Sequence, residues 1–469
     1  MAFDSLEYLL LLLGTLVIYS ELGPRGRLLL LIASSIVFYA AWSVPLLSLI
    51  VLSAIIDFTV ALLIQASTNE RARRVYLWVS LLVNLGLLGY FKYAGFFAEN
   101  LAALLGHPDT ARLDVVLPPA ISFYTFQTMS YSIDVYRGQA RATRSFGRFF
   151  LYVCFFPQLI AGPIERAKDL LGQFGLAFAQ RVSLANIISG ARMIAWGMFK
   201  KVVIANYCGG LADKVYSAPG DFDGWAALVA TYAFTLQIYC DFSAYSEMAR
   251  GSARMFGVEL MQNFDQPYLT TNIRDFWRRW HISLSNWFRD YVYLGLGGNR
   301  SGRVRTLMNL AITMLLSGLW HGAAWNFVLW GAYHGGLLLV TTLIAGTAGF
   351  RRLSARWGGL GRFLAWFLNF HLVVFGWVLF RVDAIRDVPI LLSAMAQTVR
   401  TGASPTLAQA GFLLAVAGLL ALSYLRRRGA WFDQIHRDRS ASLLFYTTVV
   451  VLTVLLARGD GPQFIYFQF

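Results

Sequence analysis

Hydrophobic positions in this chain come in long blocks separated by short polar stretches. The blocks fall at about residues 6–20, 28–42, 46–66, 75–95, 147–163, 184–206, 225–243, 306–345, 364–380, 386–399, 407–425 and 441–457, with 306–345 long enough for two spans or one broken one. Blocks of this kind predict an all-α polytopic membrane protein with about eleven or twelve transmembrane helices. Some blocks, notably 28–42 and 147–163, are shorter than the ~20 residues a full crossing needs. Those lengths suit tilted, half-inserted or re-entrant pieces, which survive in a bilayer only where protein or a water-filled cavity satisfies the backbone. No internal repeat is visible, which argues against a transporter built from matched halves. The whole of 1–469 reads as one integral-membrane domain.

Composition supports this reading. Apolar residues make up 57% of the chain and charged residues only 14%, against about 25% in a soluble protein. The net charge of +15 matters through its placement. Basic clusters lie at 71–74, 137–148, 351–362 and 426–439, which the positive-inside rule assigns to the cytoplasm, leaving the N-terminus outside. The first block has no basic residue before it and no small-residue cleavage pattern after it, so it is expected to be a retained helix. Cys154, Cys208 and Cys240 are far apart and in or beside apolar blocks, so they read as buried structural thiols and not as a disulfide framework or zinc site.

One stretch is unlike the rest. In FDQPYLTTNIRDFWRRWHISLSNWFRDYVYLGLGGNR (264–300), Arg274, Arg278, Arg279, Arg289 and Arg300 interleave with Trp277, Trp280, Trp287 and Tyr293. This is the composition of an interfacial segment, with indoles at headgroup depth and guanidinium groups toward phosphate. A plain membrane-surface anchor has the same composition. Nucleic acid is excluded as a partner by the apolar character of the chain. His281 lies inside this segment. Just before it, QIYCDFSAYSEMARG (237–251) brings Asp241 and Glu247 to the end of an apolar block, where Arg250 or Arg254 is the expected ion-pair partner.

The sharpest anomaly is His321, in LLSGLWHGAAWNFVLWGAYHG (315–335). An ionisable residue inside a spanning segment is a functional candidate by default. Desolvation favours the uncharged imidazole, which can accept a proton as a general base. A structural histidine bonded to a neighbouring helix is the alternative. His334 follows thirteen residues later, about 220° further around an ideal helix, and faces elsewhere unless Gly322 or its fellows break the helix. His371 reads as packed or pore-lining. No metal-ligand spacing, no G-x-S-x-G and no phosphate-binding loop occurs, so metal, serine-triad and ATP-hydrolysing chemistry lack sequence support.

WRRWHISLSNWFRDYVYLGLGGNR and SGLWHGAAWNFVLWGAYHG resemble the two central motifs of the membrane-bound O-acyltransferase superfamily, in its bacterial polysaccharide branch of alginate-type O-acetyltransferases. LPPAISFYTFQTMSYSIDVYRG (117–138), FFPQLIAGPIER (155–166) and the 237–251 stretch extend the likeness, giving a motif core of about 117–336. Ala244, Glu247 and Gly295 depart from the branch's usual Gly, Asp and Pro. The resemblance implies a ring of tilted helices, with re-entrant and interfacial helices, around a central tunnel in the bacterial inner membrane. It implies His321 as catalytic histidine and His281 as its second histidine. It further implies acetyl-CoA as the donor substrate, entering from the cytoplasm, with no bound cofactor. Arg278, Arg279, Asp241 and Trp320 are the substrate-binding candidates, the arginines facing the CoA phosphates. The resemblance also implies that the acetyl group passes to an exported polysaccharide through a periplasmic acetyltransferase or acyl-carrying partner protein. The tail 458–469, GDGPQFIYFQF in its last part, is expected outside, with Tyr466 as acyl carrier. The competing readings are a teichoic acid D-alanyltransferase loaded from a carrier protein, and a lipid-linked sugar transporter using Asp57, Asp134 and Asp241 as relay carboxylates.

Overall fold

A computed structural model describes residues 1–107, 113, 115–160, 162–345, 358–428, 438–457 and 464–465. Most of the basic segments 351–362 and 426–439, and Tyr466 itself, lie outside the described residues. The described chain is helical with no strand, and it divides into two compact units. Unit 1 holds Met1–Gly197 and Tyr245–Gln262; unit 2 holds Met198–Ala244 and Asn263–Phe469.

Unit 1 contains α1 (Leu6–Glu21), α2 (Pro24–Ala40), α3 (Val44–Ala66), α4 (Glu70–Leu88), α5 (Ala94–Leu104), α6 (Ile121–Tyr136), α7 (Phe146–Cys154), α8 (Ala167–Ala179) and α9 (Leu184–Phe199). Helix starts follow their caps: Ser5, Ser43 and Asn69 accept backbone N–H groups of α1, α3 and α4, and Pro24 and Pro45 sit in first turns where no N–H is needed. Helices α3, α4 and α6 pack together around the carboxylate of Asp57. Ser80, Asn84 (2.7 Å) and Ser132 (2.7 Å) donate to it, with Ser53 at 3.5 Å. A buried carboxylate so supplied with donors ties these helices together. The block 147–163 is not a crossing. Helix α7 ends at Cys154, and side chains satisfy the irregular backbone around it: Gln127 Nε2 donates to the Tyr152 carbonyl (2.5 Å) and Gln158 Nε2 to that of Pro163 (3.1 Å).

Unit 2 contains α10 (Asn206–Tyr216), the first part of α11 (Gly224–Met255), α12 (Ile273–Arg279), α13 (Ile282–Trp287), α14 (Gly302–His321), α15 (Trp325–Ala345), α16 (Gly358–Arg381), α17 (Asp387–Thr401), α18 (Leu407–Arg428) and α19 (Arg439–Leu456). A π-helical turn at Lys200–Ala205 leads into α10, and another at Phe288–Tyr293 follows α13. Six described helical stretches are long and apolar enough to cross a membrane: Val44–Ala66, Glu70–Leu104, Trp325–Ile344, Gly358–Arg381, Leu407–Arg427 and Arg439–Leu456. The block 306–345 resolves into two helices broken after His321. Small residues bring them close: a Cβ on Gly331 would lie 2.6 Å from the Met314 carbonyl oxygen, and one on Gly318 would collide with the Phe327 carbonyl. This is the close crossing that paired glycines permit in membranes.

Candidate active site

The break between α14 and α15 sets the site. His321 is the last residue of α14, and Gly322 leaves the helix in an extended conformation. Only a glycine fits there, because a Cβ would collide with the Phe327 ring. The His321 ring is buried and meets aromatic edges and faces: Trp330 at 5.0 Å, Phe380 at 5.3 Å and Trp320 at 5.1 Å between ring centroids.

His281 arrives from the interfacial segment. It caps α13 in the left-handed region, φ 42°, ψ 57°. For a non-glycine residue that conformation costs on the order of 1–3 kcal/mol and persists only where the surroundings hold it. Asn263 does the holding. Its carbonyl accepts the Ile282 N–H (2.9 Å) and its side-chain oxygen accepts the Ser283 N–H (3.2 Å). The His281 carbonyl in turn accepts the Ser285 N–H at 2.9 Å. The ring is fully buried, 4.6 Å from Phe242 and 5.8 Å from Trp320. Burial lowers its pKa to about 3, so the imidazole is neutral at physiological pH.

The two histidines, forty residues apart in sequence, thus share one indole. Trp320 touches both. The helix break also changes the expectation for His334. Continuous helix would have turned it away, but here Trp330 contacts His321 and His334 alike, the latter at 4.9 Å. His334 is packed, with a Cβ on Gly376 falling 2.5 Å from its Nε2. His371 is spoken for: Nδ1 sits 2.8 Å from the Phe367 carbonyl and therefore carries the proton, so Nε2 accepts from the Tyr232 hydroxyl (2.8 Å). With both ring nitrogens engaged it is not a base.

Asp241 does not pair with Arg250 or Arg254. Arg254 binds Glu259 at 2.5 Å, whereas Asp241 Oδ1 lies 3.0 Å from Lys201 Nζ, both side chains buried. The π turn that carries Lys201 also carries Lys200, whose ammonium donates to the Ser243 hydroxyl at 2.8 Å. The other Asp241 oxygen accepts the Ile465 N–H at 2.8 Å. Phe464 and Ile465 are buried, and the Phe464 ring lies 6.1 Å from Phe242, the ring that also meets His281. Sequence reasoning missed Lys201, Asn263, Phe242 and Trp330. Two lysines inside the apolar block 184–206 were a legible signal, since buried cations demand partners. Arg278 and Arg279 stand apart from the histidines' ring contacts, paired with Asp275 (3.1 Å) and Asp265 (3.2 Å). Among the described residues no cluster of potential metal ligands occurs.

A profile of the membrane-bound O-acyltransferase family (MBOAT) matches residues 74–380, a range that holds Asp241, His281, Trp320 and His321. The chain belongs to the membrane-bound O-acyltransferase family. As a member it is a multi-pass membrane acyltransferase, and its tail lies beyond the matched range. It is 41% identical over 393 residues to a probable alginate O-acetylase AlgI of Pseudomonas aeruginosa, covering 82% of this chain and 73% of that protein. It is 35% identical over 398 residues to a peptidoglycan O-acetyltransferase of Helicobacter pylori, covering 80% and 74%. Similarity to a teichoic acid D-alanyltransferase of Bacillus subtilis is lower, 27% over 305 residues, covering 61% and 74%.

Proposed function

We propose that this acyltransferase O-acetylates an extracytoplasmic polysaccharide from the inner membrane, with cytoplasmic acetyl-CoA as donor and His321 as general base. The observation that carries the reading is the convergence of His321 and His281 on Trp320, with the Phe464–Ile465 tail buried beside Phe242. Relatives named as alginate and peptidoglycan O-acetyltransferases support the acetyl group and the polymer class.

A thioester is already activated, so the protein must supply a deprotonated hydroxyl and exclude water. In this reading neutral His321 takes the hydroxyl proton of Tyr466, one residue beyond the buried Ile465. The phenolate oxygen attacks the thioester carbonyl carbon. His281, neutral and fixed by Asn263, donates an N–H to the developing oxyanion. The C–S bond then breaks, and the CoA sulfur takes the proton from His321. Acetyl-tyrosine hands its acetyl group to a periplasmic partner that esterifies the polymer. Arg278 and Arg279, exchanging their carboxylate partners, are the candidates for the CoA phosphates. The reading is tested by the acetyl ester content of surface polysaccharide in cells carrying His321→Ala at normal protein level. Loss of the ester supports it, and wild-type ester content overturns it. Binding of acetyl-CoA, in preference to a small acidic carrier protein, separates it from D-alanyl transfer.

A further inference from the structure

A cavity of about 830 Å³ lies in unit 2, lined by one stripe of α16 and one stripe of α18 and closed by Leu228 and Tyr232 of α11 with Leu269 and Thr271; neither His281 nor His321 lines it. On α16 the lining recurs at Gly359, Arg362, Trp366 and Phe370, and on α18 at Leu413, Val416, Leu420 and Tyr424, each a single helical face. Both helices are candidate membrane spans. At a rise of ~1.5 Å per residue, each stripe runs roughly 16–18 Å, about half the thickness of the hydrocarbon core of a bilayer.

The chemistry along the groove is uneven. Its one charged lining group is Arg362, exposed near the start of α16, which forms no ion pair among the described residues. Tyr424 lines the cavity near the end of α18, next to exposed Arg426 and Arg427. The rest is mostly aromatic and aliphatic. Its deeper polar groups need nothing from a ligand, because the Tyr232 hydroxyl donates to His371 Nε2 at 2.8 Å and His371 Nδ1–H donates to the Phe367 carbonyl. A peptide or a pantetheine arm would bury amides against such a wall without partners, at a cost a hydrocarbon chain avoids.

We propose that this groove is a binding site for a phospholipid of the surrounding bilayer, one acyl chain lying along the stripe and the phosphate against Arg362. The wall it presses on supports the approach to His281. Trp366 Nε1–H donates to the Tyr268 carbonyl (2.9 Å), Asn369 donates to that of Thr270 (3.0 Å), and the Tyr268 ring lies 5.9 Å from Trp280, the residue before His281.

The test uses the full-length protein in phosphatidylcholine nanodiscs doped with a phosphatidylglycerol whose acyl chain carries a diazirine. Photolysis of the wild type is expected to label the α16 and α18 stripes, and peptide mapping that finds no label there overturns the proposal. Ala417→Trp fills the groove and is expected to lose that label, whereas Leu414→Trp, off the lining, keeps it. Equal labelling in Ala417→Trp and wild type also overturns it. Arg362→Gln is expected to lower labelling by the phosphatidylglycerol probe about fivefold relative to a diacylglycerol probe without phosphate. Excess acetyl-CoA is expected to leave the label in place; displacement would assign the groove to the donor and not to lipid.

Discussion

Asp57 and His321 are both ionisable side chains sunk among apolar helices, and their surroundings could hardly differ more. Asp57, in unit 1, is met by hydroxyl and amide donors from two neighbouring helices, α4 and α6. His321, in unit 2, is met by the rings of Trp320, Trp330 and Phe380 at the end of a broken helix. The first arrangement spends the polar group on structure. The second sets an imidazole among aromatic rings at a helix break. Burial alone therefore does not distinguish the two groups; what surrounds each of them does.

Exchanging the two behaviours is the way to break this contrast. His321→Ala is expected to lower acetyl transfer by about 100-fold or more with little change in thermal unfolding. Asp57→Ala is expected to do the reverse: it strands the Ser80, Asn84 and Ser132 donors and costs on the order of 3–5 kcal/mol of stability, read as a lowered unfolding midpoint in detergent. Equal stability losses in the two variants would erase the distinction.

Asp241 sharpens the contrast, because it belongs to both kinds. Its oxygens bind Lys201 and the tail at Ile465. Asp241→Asn is expected to reduce acetyl transfer about tenfold or more through lost tail placement, while Lys201→Met combined with Asp241→Asn recovers stability but not activity. Glu165 offers a smaller effect. Burial raises its pKa to about 7 from 4.5, although the Met261 N–H donates to it. The native state thus binds more protons than the unfolded one between pH 4.5 and about 7, so stability falls as pH rises through that window. Glu165→Gln is expected to flatten that slope in unfolding midpoints measured from pH 5 to 8. Arg278→Gln, at an exposed pair, is expected to change stability by less than about 0.5 kcal/mol.

The blocks of hydrophobicity made the all-α membrane fold legible, and His321 was legible as an imidazole in an apolar run. Block 147–163 was not a span, because hydropathy does not register the glutamine side chains that support a short helix and turn. Asp241 was assigned to the wrong cation because helix spacing favours near neighbours, whereas Lys201 arrives from a π turn forty residues upstream. The shared Trp320 contact depends on the left-handed turn at His281, which no residue type announces: a glycine or asparagine is its usual occupant.

The most direct measurement is mass spectrometry of the peptide containing Tyr466 after a single turnover of the purified protein with acetyl-CoA. The account predicts an acetyl ester on Tyr466 in the wild type and none in His321→Ala. An acetylated Tyr466 in His321→Ala at the wild-type rate would contradict it.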